Sequence, residues 1–240
     1  MLEIISPHID DASLSLGSLT LQMNADDCAF EITSCFSISD YHTGLDALER
    51  SEVTRIRKTE DSHFSRLLNS KIKFNYLDFL DAPLRGYEKC TFKNSFNAAD
   101  ELLINRLHGY LKQKKNQQYL IPLGLGQHID HVISLHAACL LAGNKIAAFY
   151  EDLPYAGRLT HEEIVDYIRI IERRTGFQLT PVVVGSQFIN RKEEICNLYT
   201  SQLKDWYVEK IRESTTKHNG ERIWVVNSKN NELLHLLGSI

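Results

Sequence analysis

The chain has 240 residues, 43% hydrophobic and 24% charged, with 27 Lys and Arg against 31 Asp and Glu for a formal charge of −4. This is ordinary globular composition, which excludes collagen, coiled coil and disorder. The slight acidic excess leaves no surplus cations for phosphates, and no run approaches the ~20 apolar residues of a membrane helix, so neither nucleic acid nor membrane is an expected partner.

The chain opens on Met1-Leu2-Glu3-Ile4-Ile5, without a basic n-region or a cleavage site. Residues 2–6 form the first short apolar run. The next apolar residues, Leu14, Leu16, Leu19, Leu21 and Met23, fit a strand as well as a helix. A second run, 30–36, precedes a helical stripe of Val53, Ile56, Phe64, Leu67 and Leu68. A third, 72–76, precedes a stripe of Ala99, Leu102, Leu103, Leu107, Tyr110 and Leu111. The run 119–123 leads through a glycine-flanked turn to a helix predicted from about His131 to Leu141. The run 146–150 is followed by a stripe of Ile164, Val165, Ile168 and Ile171. Then come 182–184, a fourth stripe of Ile195, Leu198, Tyr199 and Trp206, and a last run at 223–226. Such alternation predicts an α/β fold, a three-layer sandwich with a mainly parallel, Rossmann-like sheet, in one domain over 1–240. The five cysteines, Cys28, Cys35, Cys90, Cys139 and Cys196, form no C-x-x-C pair and read as reduced thiols of a cytoplasmic protein.

In parallel α/β sheets, ligands sit beyond the carboxyl ends of the strands, so polar clusters just after an apolar run carry the most weight. Two clusters qualify: Ser6-Pro7-His8-Ile9-Asp10-Asp11 and Gln127-His128-Ile129-Asp130-His131. His8 and Asp11 are three apart, as are His128 and His131, so each pair can share a face of one turn. Two imidazoles and one carboxylate make the usual ligand set of a catalytic zinc, and a neighbouring carboxylate then serves as base. The adjacent Asp10 and Asp11 thus offer one base and one ligand between them. His128, held protonated by Asp130, would offer a positive donor to a developing oxyanion. Taken singly, either cluster reads more readily as N-cap aspartates and satisfied histidines. Together, at equivalent positions in the topology, they point to chemistry.

The first cluster resembles the (A/S)-H-P-D-D motif of the LmbE-like, or PIG-L, zinc-dependent N-deacetylases, and His128-Ile129-Asp130-His131 resembles that family's H-x-D-H. Arg57-Lys58-Thr59-Glu60, the segment Tyr150-Glu151-Asp152-Leu153-Pro154-Tyr155-Ala156, and Lys192 with Tyr199-Thr200-Ser201-Gln202 are weaker echoes. The resemblance implies one zinc per chain on His8, Asp11 and His131, with Fe2+ or Co2+ as substitutes. It implies Asp10 as general base and then acid, His128 as oxyanion stabiliser oriented by Asp130, and Arg57 as a substrate contact. The implied substrate is a small N-acetylated amino sugar or glycoconjugate, which loses acetate to give a free amine. A homo-oligomer is left open.

Ile9 stands where the family has proline, and Ala12 where a glutamate commonly follows, which marks a divergent member with its own substrate. Specificity is expected from the loops 81–89 and 153–160. Two rival readings share the parts list. One is a non-heme iron oxygenase built on His8, Asp10 and His131; the other is a relative that binds a sugar or a partner protein without catalysis.

Overall fold

Strands and helices alternate as expected in a computed structural model that describes residues 1–44, 48–69, 72–88, 96–141, 145–227 and 233. Each apolar run becomes a strand: β1 (Leu2–Ser6), β2 (Phe30–Ser34), β3 (Lys73–Tyr76), β4 (Gln118–Pro122), β5 (Ile146–Tyr150), β6 (Leu179–Val184) and β7 (Glu221–Val226). The helices are α1 (Asp11–Ala25), α2 (Arg50–Leu67), α3 (Ala98–Gln113), α4 (Ile129–Cys139), α5 (His161–Thr175), α6 (Lys192–Cys196) and α7 (Asp205–His218). The strands lie in the order β3-β2-β1-β4-β5-β7-β6, and β7 alone runs antiparallel to its neighbours.

Side chains alternate across the sheet, as the period of two in a strand requires. Ile5, Ile121 and Phe149 pack with Leu107, Ile133 and Ile168 on one face, which carries α3, α4 and α5. Leu2, Ile4 and Leu120 pack with Leu19, Phe64 and Ile195 on the other, which carries α1, α2 and α6. Helices on both faces of a mainly parallel sheet are the expected three layers.

The ambiguous segment is the helix α1, with all but three of its fifteen residues buried. A helix covered on every side needs no polar stripe, so its period is erased. The helix also breaks at Leu16 (φ −127°, ψ 18°). There the Glu221 carboxylate accepts the Ser18 and Leu19 N–H groups at 2.8 Å each. Lys192, which is 4% exposed, pairs with that carboxylate. Breaking a buried ion pair on one side costs about 3–5 kcal/mol. Lys192→Met should therefore lower the unfolding free energy by about that much in urea titration, and an unchanged midpoint would remove this role.

Two boundaries differ from expectation. Helix α4 starts two residues before His131, because His128 itself is the N-cap and accepts the Asp130 N–H on its ring Nδ1 at 3.3 Å. The fourth stripe is two elements: Ile195 lies on α6, Leu198 and Tyr199 lie in the turn beyond it, and Trp206 lies in the first turn of α7. Cys28, Cys35, Cys139 and Cys196 are free thiols, while Cys90 lies outside the described residues. Among the described residues, no helix is long and apolar enough to cross a membrane.

The chain leaves β1 towards β2 and β3 on one side, and leaves β4 towards β5 on the other. Their loops diverge at this reversal of strand order, which opens a crevice at the carboxyl ends. Both polar clusters flank it.

Candidate active site and metal centre

A cleft of about 740 Å³ lies at that reversal, and His8, Asp10, Asp11, Arg57 and His128 are among its lining residues. His8, Asp10 and Asp11 come from the turn between β1 and α1. The His8 N–H donates to Asp11 Oδ2 at 2.8 Å, and Ser6 Oγ accepts the Ala12 N–H at 2.9 Å, which ties the turn to the first residues of the helix. His131 is fully buried on the first turns of α4.

The three predicted ligands converge on one atom. Asp11 Oδ2 lies 3.1 Å from His8 Nδ1 and 3.1 Å from His131 Nε2. The outward nitrogens are both held by carboxylates: His8 Nε2 lies 2.9 Å from Asp130 Oδ2, and His131 Nδ1 lies 2.6 Å from Asp152 Oδ1. Carboxylates behind histidine ligands set the tautomer that leaves the inward lone pair for a metal. His131 Nε2 is buried and, although 3.1 Å from Asp11 Oδ2, makes no well-aligned hydrogen bond, a need that a cation between the two would meet. The residues present therefore fit a divalent metal. A ring nitrogen of His128 also lies within 4.8 Å of nitrogens of His8 and His131, and the three imidazoles stand 5.0–5.4 Å apart.

Burial opposes charge on His8, yet the hydrogen bonds with Asp11 and Asp130 outweigh it and push the imidazole up to about 9. The same contest raises His131 well above the ordinary histidine value and, with burial again opposing, holds Asp11 well below the ordinary carboxylate value. Asp10 behaves oppositely. Burial and then repulsion from Asp11 raise its carboxyl, against the pull of Arg57 and His8. Two adjacent carboxyls pushed apart in this way suit a ligand and a base.

The expected protonated His128, oriented by the Asp130 carboxylate, is corrected on both counts. Burial and then repulsion from His8 lower His128 to about 3, so it is neutral near pH 7. A divalent cation nearby would push it the same way. The main-chain N–H of Asp130 orients the ring, while the Asp130 carboxylate faces His8, Arg85 and the Ala82 N–H. Because Nδ1 accepts that N–H, the proton of neutral His128 sits on Nε2, which makes it an uncharged donor.

Arg57, on α2, is 3% exposed and its Nη2 donates to Asp10 Oδ1 at 3.1 Å. Its Nε is buried without a partner. This excludes a solvated helix-face arginine and leaves donor capacity at the cleft. The loops expected to set specificity contribute Asp81, Pro83, Pro154 and Tyr155; Lys89 lies outside the described residues. Gly126 (φ +80°) is required opposite Tyr155, because a Cβ there would come within 2.7 Å of the Tyr155 Cβ.

Sequence reasoning gave several contributors no individual role, although Asp152 and Gln202 stand in the weaker family echoes and Asp81 in a loop expected to set specificity. Asp152 and Asp81 lie just past β5 and β3, where the rule of polar residues after an apolar run finds them if applied to every strand. Arg85, behind Asp130, carries no such signal. Tyr41, Gln202, Lys204 and Tyr207 reach the cleft from distant segments.

The chain is similar in sequence and in fold to known deacetylases. A 2'-N-acetylparomamine deacetylase of Streptomyces fradiae is 29% identical over 223 residues, which covers 90% of this chain and 76% of that protein. A solved teicoplanin deacetylase in its zinc-inhibited form superposes with a TM-score of 0.67 at 20% identity, covering 95% of this chain and 99% of that one. An N,N'-diacetylchitobiose deacetylase from Pyrococcus horikoshii gives a TM-score of 0.59 at 13% identity, over 99% of this chain and 86% of that one. The family model described as PIG-L: GlcNAc-PI de-N-acetylase matches residues 4–142 and spans both polar clusters. With more than half of its length inside that match, the chain belongs to the PIG-L, or LmbE-like, family.

Proposed function

We propose that this chain removes the acetyl group from an N-acetylated amino sugar or glycoside, releasing acetate and a free amine. One observation carries the reading. A buried carboxylate, Asp10, stands beside a second, Asp11, on which two carboxylate-backed imidazoles converge, and His8, Asp10 and Asp11 line a cleft. The relative that acts on 2'-N-acetylparomamine supports an aminoglycoside-type substrate, and the seven strands drawn from residues 2–226 support one domain over 1–240.

A divalent metal on His8, Asp11 and His131, zinc by this reading with Fe2+ or Co2+ as substitutes, would supply Lewis acidity and lower the pKa of a water to about 7. Asp10 takes a proton from the attacking water as the new C–O bond forms. It returns that proton to the nitrogen as the C–N bond breaks. The Nε2–H of His128 donates to the amide oxygen as negative charge develops there. Arg57 holds Asp10 in place and offers its remaining donors to substrate oxygens.

The test is acetate release from a panel of N-acetylated amino sugars and their glycosides, with the protein loaded in turn with zinc, ferrous iron and cobalt. Stoichiometric acetate and free amine is the expected result. The metal series matters because a teicoplanin deacetylase has a zinc-inhibited form. Sugar binding without acetate release under any metal would leave the inert-binder reading, and turnover dependent on iron and oxygen would leave the oxygenase. Within the deacetylase reading, His128→Ala should lower kcat by roughly 10²–10³, the scale of one oxyanion donor. Full single-turnover activity in that variant would remove the role.

A further inference from the structure

We propose that Arg85 is a positioning residue of the metal centre, holding the Asp130 carboxylate so that His8 presents Nδ1 to the metal. The inference rests on the metal-centre reading above. It extends that reading to a residue outside the cleft lining.

Asp130 is fully buried, and its two oxygens have separate tasks. Oδ2 faces His8 Nε2 at 2.9 Å and accepts the Ala82 N–H at 2.9 Å. Oδ1 lies 2.7 Å from Arg85 Nη2, an ion-pair contact without hydrogen-bond alignment, and Asp100 Oδ1 lies 3.6 Å from the same nitrogen. Ala82 and Arg85 belong to one short stretch, because a 3-10 turn at Pro83–Arg85 follows Ala82 directly. That stretch therefore grips the carboxylate at both ends.

Arg85 is itself well held. Its Nη1 donates to the Leu80 carbonyl at 2.7 Å, and its guanidinium lies 5.0 Å from the Phe36 ring centroid and 5.4 Å from that of Tyr87. Its side chain is 10% exposed. A buried carboxylate stays ionised only where charge and donors compensate for lost water. Within this arrangement, Arg85 supplies the charge and Ala82 the fixed donor.

The consequence reaches His8. The Asp130 carboxylate accepts a hydrogen bond from the His8 Nε2–H, and an imidazole that keeps its proton on Nε2 has the Nδ1 lone pair free for a metal. That lone pair lies on the side of Asp11 Oδ2, 3.1 Å away. Without Arg85, Asp130 loses its nearest cation and the constraint on the His8 tautomer weakens. Removing such outer partners typically costs 10–100-fold in metal affinity.

The experiment compares wild type with Arg85→Met, Arg85→Lys, Asp130→Asn and the double variant Arg85→Met/Asp130→Asn. The affinity for zinc is measured by chelator competition, and the His8 ring nitrogens are observed by ¹⁵N NMR on the zinc-saturated protein. Arg85→Met should weaken zinc binding about 10–100-fold and add little to Asp130→Asn. The His8 Nε2–H signal should be lost or shifted in Arg85→Met and recover in Arg85→Lys, since a lysine keeps the charge. Tyr87→Phe is the control: it keeps Arg85, its Asp130 contact and the ring beside the guanidinium, and removes only the Tyr87 hydroxyl contact to Asp100, whose Oδ1 lies 3.6 Å from Arg85 Nη2.

Wild-type affinity in Arg85→Met would overturn the proposal, as would additive losses in the double variant or an equal loss in Tyr87→Phe. None of these measurements uses a sugar substrate, so absent deacetylation would not disturb them. A wild-type chain that takes up no metal would overturn both readings.

Discussion

Replacing His131 with alanine should strip the chain of metal and abolish turnover. His131 is fully buried, and its two nitrogens bridge Asp11 and Asp152 at 3.1 and 2.6 Å. With the imidazole gone, a ligand set of two nitrogens and one oxygen becomes one of each, too few to hold a catalytic divalent ion. Elemental analysis of wild type and variant purified side by side should find near one metal per chain in the first and little in the second. The variant also leaves two buried carboxylates facing a void, so His131→Gln, which keeps most of the volume, should be measured with it. Retention of full metal by a folded His131→Gln would move the centre away from this histidine.

Asp10→Asn should retain the metal and lose activity. Asparagine has the shape of aspartate, and its Oδ1 can still accept from Arg57 Nη2, now 3.1 Å from the carboxylate. It cannot take a proton from water. Removing a positioned general acid–base group typically costs 10²–10⁴ in rate, and that is the expected fall in kcat, with KM close to wild type. Wild-type kcat in a metal-replete Asp10→Asn enzyme would sink the assignment.

The pH dependence follows from the same residue. Burial and then Asp11 raise the Asp10 carboxyl, and the base works deprotonated, so kcat/KM should fall as pH drops through a value above the ordinary carboxylate range. Asp10 and Asp11 interact, so that limb belongs to the pair. His128, already neutral above about pH 3, should contribute no alkaline limb.

The strands were legible because each is a short apolar run bounded by turns, a pattern that burial on both faces of a parallel sheet enforces. Helices with one exposed face were legible for the complementary reason. The segment that misled, residues 14–23, lies in α1 and is buried on nearly every side, so no polar stripe remains to report its period. Trp206 was assigned to the stripe of Ile195 because one continuous period ran through both, although the chain turns between α6 and α7.

At the site, adjacency in sequence carried the information wherever adjacency in space followed from it. His8, Asp10 and Asp11 share one turn, and His128 and His131 share the first turn of α4, so those two clusters could be read without a structure. That they face each other is a consequence of strand order, since β1 and β4 are neighbours and their loops part at the same edge. The partners behind the histidines were not readable. Asp152 meets His131 across 21 positions and Asp130 meets His8 across 122, and no local spacing encodes such contacts. The same holds for Arg57, whose place on a helix face left both solvent and cleft open until packing buried it against Asp10.

By itself, then, the sequence determined the fold class and the groups available for chemistry, because periodicity and turn-level spacing are local properties of the chain. Only the tertiary structure decided which carboxylate faces which imidazole, that burial lowers the His128 imidazole, and that burial and Asp11 raise the Asp10 carboxyl. Those properties depend on burial and on charges brought together from distant segments, and neither is present until the sheet has formed.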